Sequence, residues 1–202
     1  MRNILAIFIF QLGILLLSGC ANKKLDKSLL ESREEGHNCF VQTKDRLYDT
    51  EKVTEIRRRN GITKLKLSDG TKIDAKDVIA CQTPEMYYRR VSDRMADHFA
   101  KRVIKGRICF YTIYVSGSVS AKMNSNTGLR ETGMDELQRY VQKDNGFMYD
   151  FDYKTLHELV SDHPPTLAHL ETYSKTPNTK KRQLMWDVMI EYNKAVKDGL
   201  VK

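Results

Sequence analysis

Histidine and aspartate are the side chains whose types and spacing come nearest to a metal or acid–base site in this chain. His157 begins the stretch HELVS, which starts like the helical zinc motif, in which two histidines four residues apart face one metal ion. Ser161 occupies the position of the second histidine. His163 and His169 follow at six-residue spacing, which scatters the rings around a helix, and Pro164-Pro165 interrupts such a helix. The spacing therefore predicts no helical metal site.

The stretch DFDYKT, which contains Asp150 and Asp152, resembles the start of a calcium-binding loop. Lys154 occupies the third ligand position and Thr155 the position that requires glycine, so the pattern excludes this type of site. The chain also lacks a Gly-x-Ser-x-Gly elbow and a phosphate-binding glycine loop. No catalytic residue, metal ion or other cofactor is therefore predicted. The alternative is an envelope hydrolase in which these histidines and aspartates come together from distant segments.

The amino terminus has the pattern of an export signal. Arg2 precedes an apolar run from Ile4 to Leu17, which is shorter than a membrane-spanning helix. The run ends in Leu17-Ser18-Gly19-Cys20, which resembles the lipobox of bacterial lipoproteins. This resemblance implies that the chain is cut before Cys20 and that acyl chains are attached to this residue. Two or three acyl chains anchor a protein stably in a membrane.

The lipobox divides the chain into three parts. We expect a signal peptide over residues 1–19, an acylated amino terminus and solvated tether over residues 20–38, and one domain over residues 39–202. In lipoproteins of Gram-negative bacteria, aspartate after the acylated cysteine favours the inner membrane. Ala21 follows Cys20 here, which implies a position in the outer membrane, facing the periplasm, if the source is Gram-negative.

The charge balance indicates an acidic partner. The formal net charge is +8, and the signal peptide contributes only Arg2 to it, so the exported protein stays basic. A basic protein in the cytoplasm would suggest nucleic acid binding, but export makes that partner unexpected. We therefore expect contact with the membrane through the lipid, and binding to an envelope protein or an anionic envelope polymer.

Three cysteines follow the lipobox, and an oxidising compartment would favour a disulfide. Three single-bridge pairings exist. Cys39 and Cys81 lie in turn-rich surroundings, whereas Cys109 lies in the apolar run RICFYTIYV and is typical of a buried core residue. Our prediction is a Cys39–Cys81 disulfide. The alternative use of Cys39, as a nucleophile with His37 as its base, would need a reduced thiol.

The first half of the domain carries hairpin signals. Asn60-Gly61 and Asp69-Gly70 are typical of tight turns between antiparallel strands. The runs between and after them predict a small antiparallel meander with a lysine-rich outer face. This face would be either an anionic docking patch or an ordinary solvated surface.

The segment from Thr83 to Gly106 is predicted to form an amphipathic helix, with Thr83 as N-cap and Pro84 in the first turn. Its apolar stripe includes Val91, Met95 and Phe99. The arginines of its polar face and those before the first hairpin turn form the predicted basic docking residues: Arg57, Arg58, Arg59, Arg89, Arg90 and Arg94.

Further elements complete an α+β prediction, in which a small antiparallel sheet packs with several amphipathic helices. RICFYTIYV predicts a strand that turns near Ser116-Gly117-Ser118 into a second one. Helices are predicted for MDELQRYVQKD, for KTLHELVSD with Thr155 and Glu158 at capping-box spacing, and for Asn178 to Lys197, where Trp186 would be a packing anchor. The order helix, two strands, helix and a short β run, GFMYDFDY, resembles the carboxy-terminal domains of TonB and TolA, periplasmic modules that bind other envelope proteins.

These patterns together predict a lipid-anchored envelope protein that acts as a non-catalytic binding or assembly component with a basic surface. Besides the envelope hydrolase, a surface-exposed lipoprotein of exclusion or host contact is an alternative.

Overall fold

The computed structural model describes residues 33–58, 61–92, 97–115, 122–123, 130–131 and 136–201. The signal peptide, Cys20, most of the tether, Arg59, Asn60, Arg94 and the turn at residues 116–118 lie outside these ranges. The strands in chain order are β1 (Phe40–Thr43), β2 (Leu47–Asp49), β3 (Val53–Arg58), β4 (Gly61–Leu67), β5 (Lys72–Asp74), β6 (Val78–Gln82), β7 (Tyr87–Ser92), β8 (Asp97–Ile104), β9 (Ile108–Val115), β10 (Lys122–Met123), β11 (Arg130–Glu131), β12 (Glu136–Lys143) and β13 (Tyr149–Asp150). The α-helices are α1 (Tyr153–Leu159), α2 (Pro164–Glu171) and α3 (Asn178–Lys197), and short 3₁₀ helices occur at Ala75–Asp77 and Thr172–Lys175.

The protein is α+β, as predicted, but its main sheet is larger than expected. Eight strands pair in the order β13-β12-β9-β8-β7-β6-β1-β2, and every neighbouring pair is antiparallel. Strands β3, β4 and β5 form a separate three-stranded sheet, and β10 pairs with β11. Within the described ranges, none of the helices has the length and apolar character needed to span a bilayer.

The helix predicted from Thr83 to Gly106 is wrong, because this segment forms β7 and β8. Apolar residues occur on both sides of these strands, since both faces of the main sheet are covered at this point. Phe99 packs under the three-stranded sheet, whereas Ala100 packs on the opposite face. The sequence of this segment therefore shows no alternation of apolar and polar residues. Its apolar residues recur by chance at helical spacing.

The helix predicted for MDELQRYVQKD is also wrong. Strand β12 occupies this segment and pairs with β9 along its whole length, from Glu136 opposite Val115 to Lys143 opposite Ile108. After Lys143 the chain turns at residues 144–145 and leads into β13. Helix propensity is a weak preference, and pairing with a strongly β-forming neighbour overrides it. The element order that resembled TonB and TolA is therefore not present.

Several other predictions are confirmed. Strands β3, β4 and β5 form the predicted meander, and Gly70 has the positive φ of +88° that its turn requires. RICFYTIYV contains β9, and α3 spans the predicted residues. Helix α1 is also present, but the predicted capping box is wrong: Asp152 caps it by accepting a hydrogen bond from the Thr155 amide at 2.8 Å.

The core is divided among three clusters around the main sheet. On one face, the helices cover β8, β9 and β12, with Phe110, Val141 and Val188 among the buried residues. On the same face, the three-stranded sheet covers β1, β6 and β8 through Leu65 and its neighbours. The opposite face buries an aromatic group that includes Tyr111.

A buried amide side chain joins helix α3 to the main sheet through hydrogen bonds. Asn193 is 2% exposed. Its Oδ1 accepts a hydrogen bond from the Ile108 amide at 2.9 Å, and its Nδ2 donates to the Ile108 carbonyl at 2.8 Å. Gly106 makes room for this contact, since a Cβ at that position would lie 2.5 Å from Cγ of Asn193.

We expect Gly106→Ala to lower the free energy of unfolding by about 1–3 kcal/mol, because the added methyl group overpacks the Asn193 side chain. Asn193→Ala alone leaves the buried Ile108 backbone groups without partners and should cost about 1–3 kcal/mol. In the Asn193→Ala background the methyl group has space, so Gly106→Ala should then cost little. Urea denaturation of the four proteins measures this coupling, and strictly additive effects would contradict the close approach.

Candidate functional site

The outer surface of the three-stranded sheet is basic. Along β4, Ile62, Leu65 and Leu67 are buried against the main sheet. Lys64 and Lys66, which lie on either side of Leu65, are exposed, as expected for a sheet with one covered face. Lys72 on β5 is exposed as well. We refer to Lys64, Lys66 and Lys72 as the lysine face.

Two of these lysines lie directly opposite each other. Lys66 pairs in register with Lys72, whereas Lys64 is opposite Asp74 and forms an ion pair with it at 2.9 Å. The hydrogen bond and the charge of Lys64 lower the pKa of Asp74. Like charges directly opposite in antiparallel strands destabilise a sheet. The Lys66–Lys72 pair therefore concentrates positive charge, and a bound anionic group would reduce the repulsion between the two lysines.

The arginines predicted as docking residues are dispersed over the fold. Arg57 is exposed on β3, and its Nη2 lies 2.6 Å from Oε2 of Glu55. Arg58 also lies in β3. Arg89 and Arg90 are consecutive on a strand rather than on one face of a helix, so they point to opposite faces of the main sheet.

The two β7 arginines also have internal partners. Arg90 donates to the Val78 carbonyl at 2.7 Å and pairs with Asp97 at 2.8 Å. Arg89 donates to the Asn145 carbonyl at 3.5 Å. The docking role of the arginines stays a prediction, and the lysine face is the more compact group of exposed cations.

The segment Arg33–Asn38, which we call the strap, lies against the main sheet before β1 begins. Gln82, which is fully buried at the end of β6, binds its backbone. The Gln82 side chain accepts a hydrogen bond from the Glu34 amide at 2.6 Å and donates to the carbonyls of Glu34 at 3.2 Å and His37 at 2.6 Å. Gly36 allows the turn within the strap, with a φ of +83°.

An ion pair fastens the strap to the central strand β8. Arg102, which is 3% exposed, donates to Glu34 at 2.6 Å, and its guanidinium lies 3.9 Å from the centroid of the Tyr87 ring. Lys105 lies 3.2 Å from the same carboxylate. Burial opposes ionisation of Glu34, but the hydrogen bonds and charges of Arg102 and Lys105 outweigh it and lower the pKa of this carboxyl group.

Sequence reasoning missed the strap, which the domain boundary at Cys39 assigned to the tether. The stretch REEGHN is charged and has no apolar periodicity. Its partners are distant in sequence, since Arg102 follows Glu34 by 68 positions. The one local signal is Gly36 between polar residues, which is typical of a turn.

The histidines and aspartates that could have formed an enzyme site have separate partners. His163 contacts the Thr166 hydroxyl at 2.6 Å, and His169 contacts Glu191 at 2.7 Å. The His157 ring packs near Tyr153. Asp152 caps α1, and Asp150 is exposed on β13. Within the described part of the chain, no three potential metal ligands lie together.

Cys39, Cys81 and Cys109 are buried free thiols in the structure. Cys81 lies opposite Val41 in the β1–β6 pairing, which places Cys39, two residues before Val41, diagonally across from it. Burial, together with the charges of Glu55 and Cys39, raises the pKa of the Cys81 thiol to about 12. Burial also raises the pKa of the Cys39 thiol. The predicted Cys39–Cys81 disulfide stays a prediction.

Trp186 is half-buried on α3 and packs edge-on against Phe110, with ring centroids 5.1 Å apart. Its role as a packing anchor is therefore confirmed. The exposed side of the ring borders an open groove of about 520 Å³ along the first turns of α3, lined by Asn178, Thr179, Arg182, Gln183 and Trp186.

Comparisons with known proteins give no match: no family model, no curated protein and no solved structure is significantly similar to this chain.

We expect Glu34→Gln to loosen the strap and to lower the free energy of unfolding by about 1–3 kcal/mol, because it leaves the buried Arg102 charge without its carboxylate. The effect should lie near the lower end of this range, since the Glu34 side chain is 38% exposed. Hydrogen exchange measured by mass spectrometry should show faster exchange in peptides that contain the strap.

The pH dependence of the free energy of unfolding provides a control for the effect of Glu34→Gln. The pKa of Glu34 is lowered from an ordinary value of 4.5, so its contribution is complete at neutral pH and is lost as the pH falls through the lowered value. The stability difference between the wild type and Glu34→Gln should therefore shrink in acid. Arg57→Gln breaks an exposed pair and should change stability by less than about 1 kcal/mol. Equal hydrogen-exchange rates of the strap in the wild type and in Glu34→Gln would contradict the role of the Glu34–Arg102 ion pair.

Proposed function

We propose that this protein is a lipid-anchored component of the bacterial cell envelope that binds an anionic partner through its lysine face. Its role is binding or assembly, without catalysis. The lipid on Cys20 would hold the domain at the membrane, and the anionic partner would be an envelope protein or an envelope polymer. In a Gram-negative source the position would be the outer membrane, facing the periplasm.

The observation that carries the proposal is the Lys66–Lys72 pair on the exposed face of the three-stranded sheet. This pair weakens the isolated sheet, and bound anionic groups would reverse that effect. The lysines extend from a sheet whose inner face is packed on the main sheet, so the positive groups are presented on a fixed surface. Electrostatic attraction of this type speeds association and weakens with salt.

The strap supports the lipid-anchored part of the proposal. It joins the predicted tether to the middle of the fold through Arg102 and Gln82, so that the anchor would be attached to a well-packed region. The lipobox itself provides the chemical argument for acylation.

Replacing the acylated residue tests the anchor. We expect Cys20→Ser to accumulate as an uncleaved or mislocalised precursor without the acyl mass, because the serine hydroxyl does not replace the thiol in lipoprotein processing. Intact-protein mass spectrometry of membrane and soluble fractions measures both effects. Normal processing of Cys20→Ser would overturn the lipid anchor.

Reversing one charge tests the lysine face. We expect Lys72→Glu to raise the free energy of unfolding by about 0.2–1 kcal/mol, because it replaces a repulsive cross-strand pair with an attractive one. The same substitution should weaken recovery of the anionic partner in crosslinked pull-downs from cell envelopes. A higher free energy of unfolding together with lower recovery of the partner would show that Lys72 acts in binding and is not needed for stability.

A matched control is Lys154→Glu, which makes the same charge change at an exposed position on α1. It should leave the recovery of the partner unchanged. Mass spectrometry and polymer analysis of the recovered material distinguish an envelope protein from a polymer. Equal recovery with Lys72→Glu and wild-type protein would overturn the role of the lysine face.

A further inference from the structure

We propose that one end of the main sheet faces the lipid bilayer and that Phe147 and Leu200 contact its interface. This end, which we call the strap end, comprises the turn Lys105–Arg107, the turn 144–147 and the carboxy-terminal end of α3. The inference rests on the proposed lipid anchor at Cys20, and it adds the surface and the orientation with which the domain meets the membrane.

The chain enters the fold at the strap end. Lys105 donates a hydrogen bond to the Arg33 carbonyl at 3.1 Å, which places the first described residue beside the β8–β9 turn. Arg33 follows Cys20 by thirteen positions, a length of chain that spans at most about 47 Å. An acyl group on Cys20 would therefore keep the strap end within about 47 Å of the lipid, and exposed side chains would decide which surface touches it.

Phe147 lies at the same end. The β8–β9 turn and the turn after β12 are joined, because the Asp144 amide donates to the Arg107 carbonyl at 3.0 Å. Gln142 supports the second turn by donating to the Gly146 carbonyl at 2.6 Å. Phe147 directly follows this turn and is 79% exposed.

Leu200 is the second apolar side chain at the strap end. Helix α3 runs toward this end, since Trp186 contacts Phe110 and Asn193 contacts Ile108, at the start of the same strand. The chain then folds back, with the Leu200 amide donating to the Ala195 carbonyl at 2.8 Å. Leu200 is 69% exposed.

The charged groups of the strap end fit an interface with lipid headgroups. The acidic groups Glu34 and Asp144 are paired, with Lys105 at 3.2 Å and with Arg107 at 3.1 Å respectively. Asp162 pairs with Lys143 at 2.8 Å. Lys194 and Lys197, in the last turn of α3, are exposed, and Glu35 and Asp198 are exposed as well. The exposed charges of this end balance, so its attraction to the membrane would come from the apolar side chains rather than from net charge.

The opposite end of the sheet supplies a matched control. Tyr114 is 76% exposed near the end of β9, about 20 Å along the strand from Ile108. It is thus an aromatic residue of nearly equal exposure on the same sheet, at the end away from the strap.

The test uses the full acylated protein in vesicles of phosphatidylcholine with a minority of phosphatidylglycerol. The phosphatidylcholine carries bromine on the acyl carbons just below the headgroups. Three variants each receive a tryptophan as a probe: Phe147→Trp, Leu200→Trp and Tyr114→Trp. The native Trp186 signal, measured in the wild type, is subtracted. Bromine quenches tryptophan only at short range, and interfacial side chains reach about 5–10 Å into the headgroup boundary.

We expect strong quenching at positions 147 and 200 and little at position 114. Equal quenching at the three positions, or stronger quenching at 114, would overturn the orientation. The acyl mass is measured on each protein before reconstitution. Its absence would defeat the lipid anchor and the orientation together, whereas acylated protein without selective quenching defeats the orientation alone.

Discussion

The main sheet buries side chains on both of its faces, and each face therefore needs a cover. The protein meets this requirement on one face with two different layers, the helices over β8, β9 and β12 and the three-stranded sheet over β1, β6 and β8. On the other face, the strap binds Gln82 and Arg102, which lie among the aromatic side chains. The lysine face lies on one of these covers, the three-stranded sheet. The strap end consists of turns between strands and the carboxy-terminal end of α3.

A bulge in β8 places two side chains that are two positions apart on opposite faces of the main sheet. Arg102 is opposite Tyr111, whereas Ile104 is opposite Phe110, so Val103 is the extra residue. The shift places Ile104 in the cluster under the helices, although Arg102 two positions earlier faces the strap. Without the bulge, the regular alternation of a strand would place both side chains on the same face. The anchoring of the strap and the packing of the helices thus depend on the same irregularity.

The parts of the fold that were predictable from the sequence are those determined by local signals. The turn at Asp69-Gly70, the apolar run of β9 and the long stripe of α3 each contain enough information within their own residues. Strands β7, β8 and β12 were predicted as helices, because their identity depends on distant neighbours in the sheet. A strand with both faces covered loses the alternation that would reveal it.

The same distinction applies to the candidate sites. The lysine-rich outer face of the meander was predictable, since alternation in β4 separates lysines from leucines. The opposition of Lys66 and Lys72 depends on the register of the hairpin and was not predicted. The contact between Glu34 and Arg102 joins a charged stretch to a strand residue far along the chain, so no local pattern indicates it.

The position of the strap has a mechanical consequence. Strand β8 has three neighbours on one side and four on the other, so the Glu34–Arg102 contact lies near the middle of the sheet. If the lipid on Cys20 were pulled, the force would pass into this central strand and into Gln82 of β6 before it reached β1. Central strands are held by hydrogen bonds on both sides, whereas an edge strand can be peeled off one bond at a time. The protein would therefore resist forces transmitted through its anchor better than one whose anchor joins an edge strand directly.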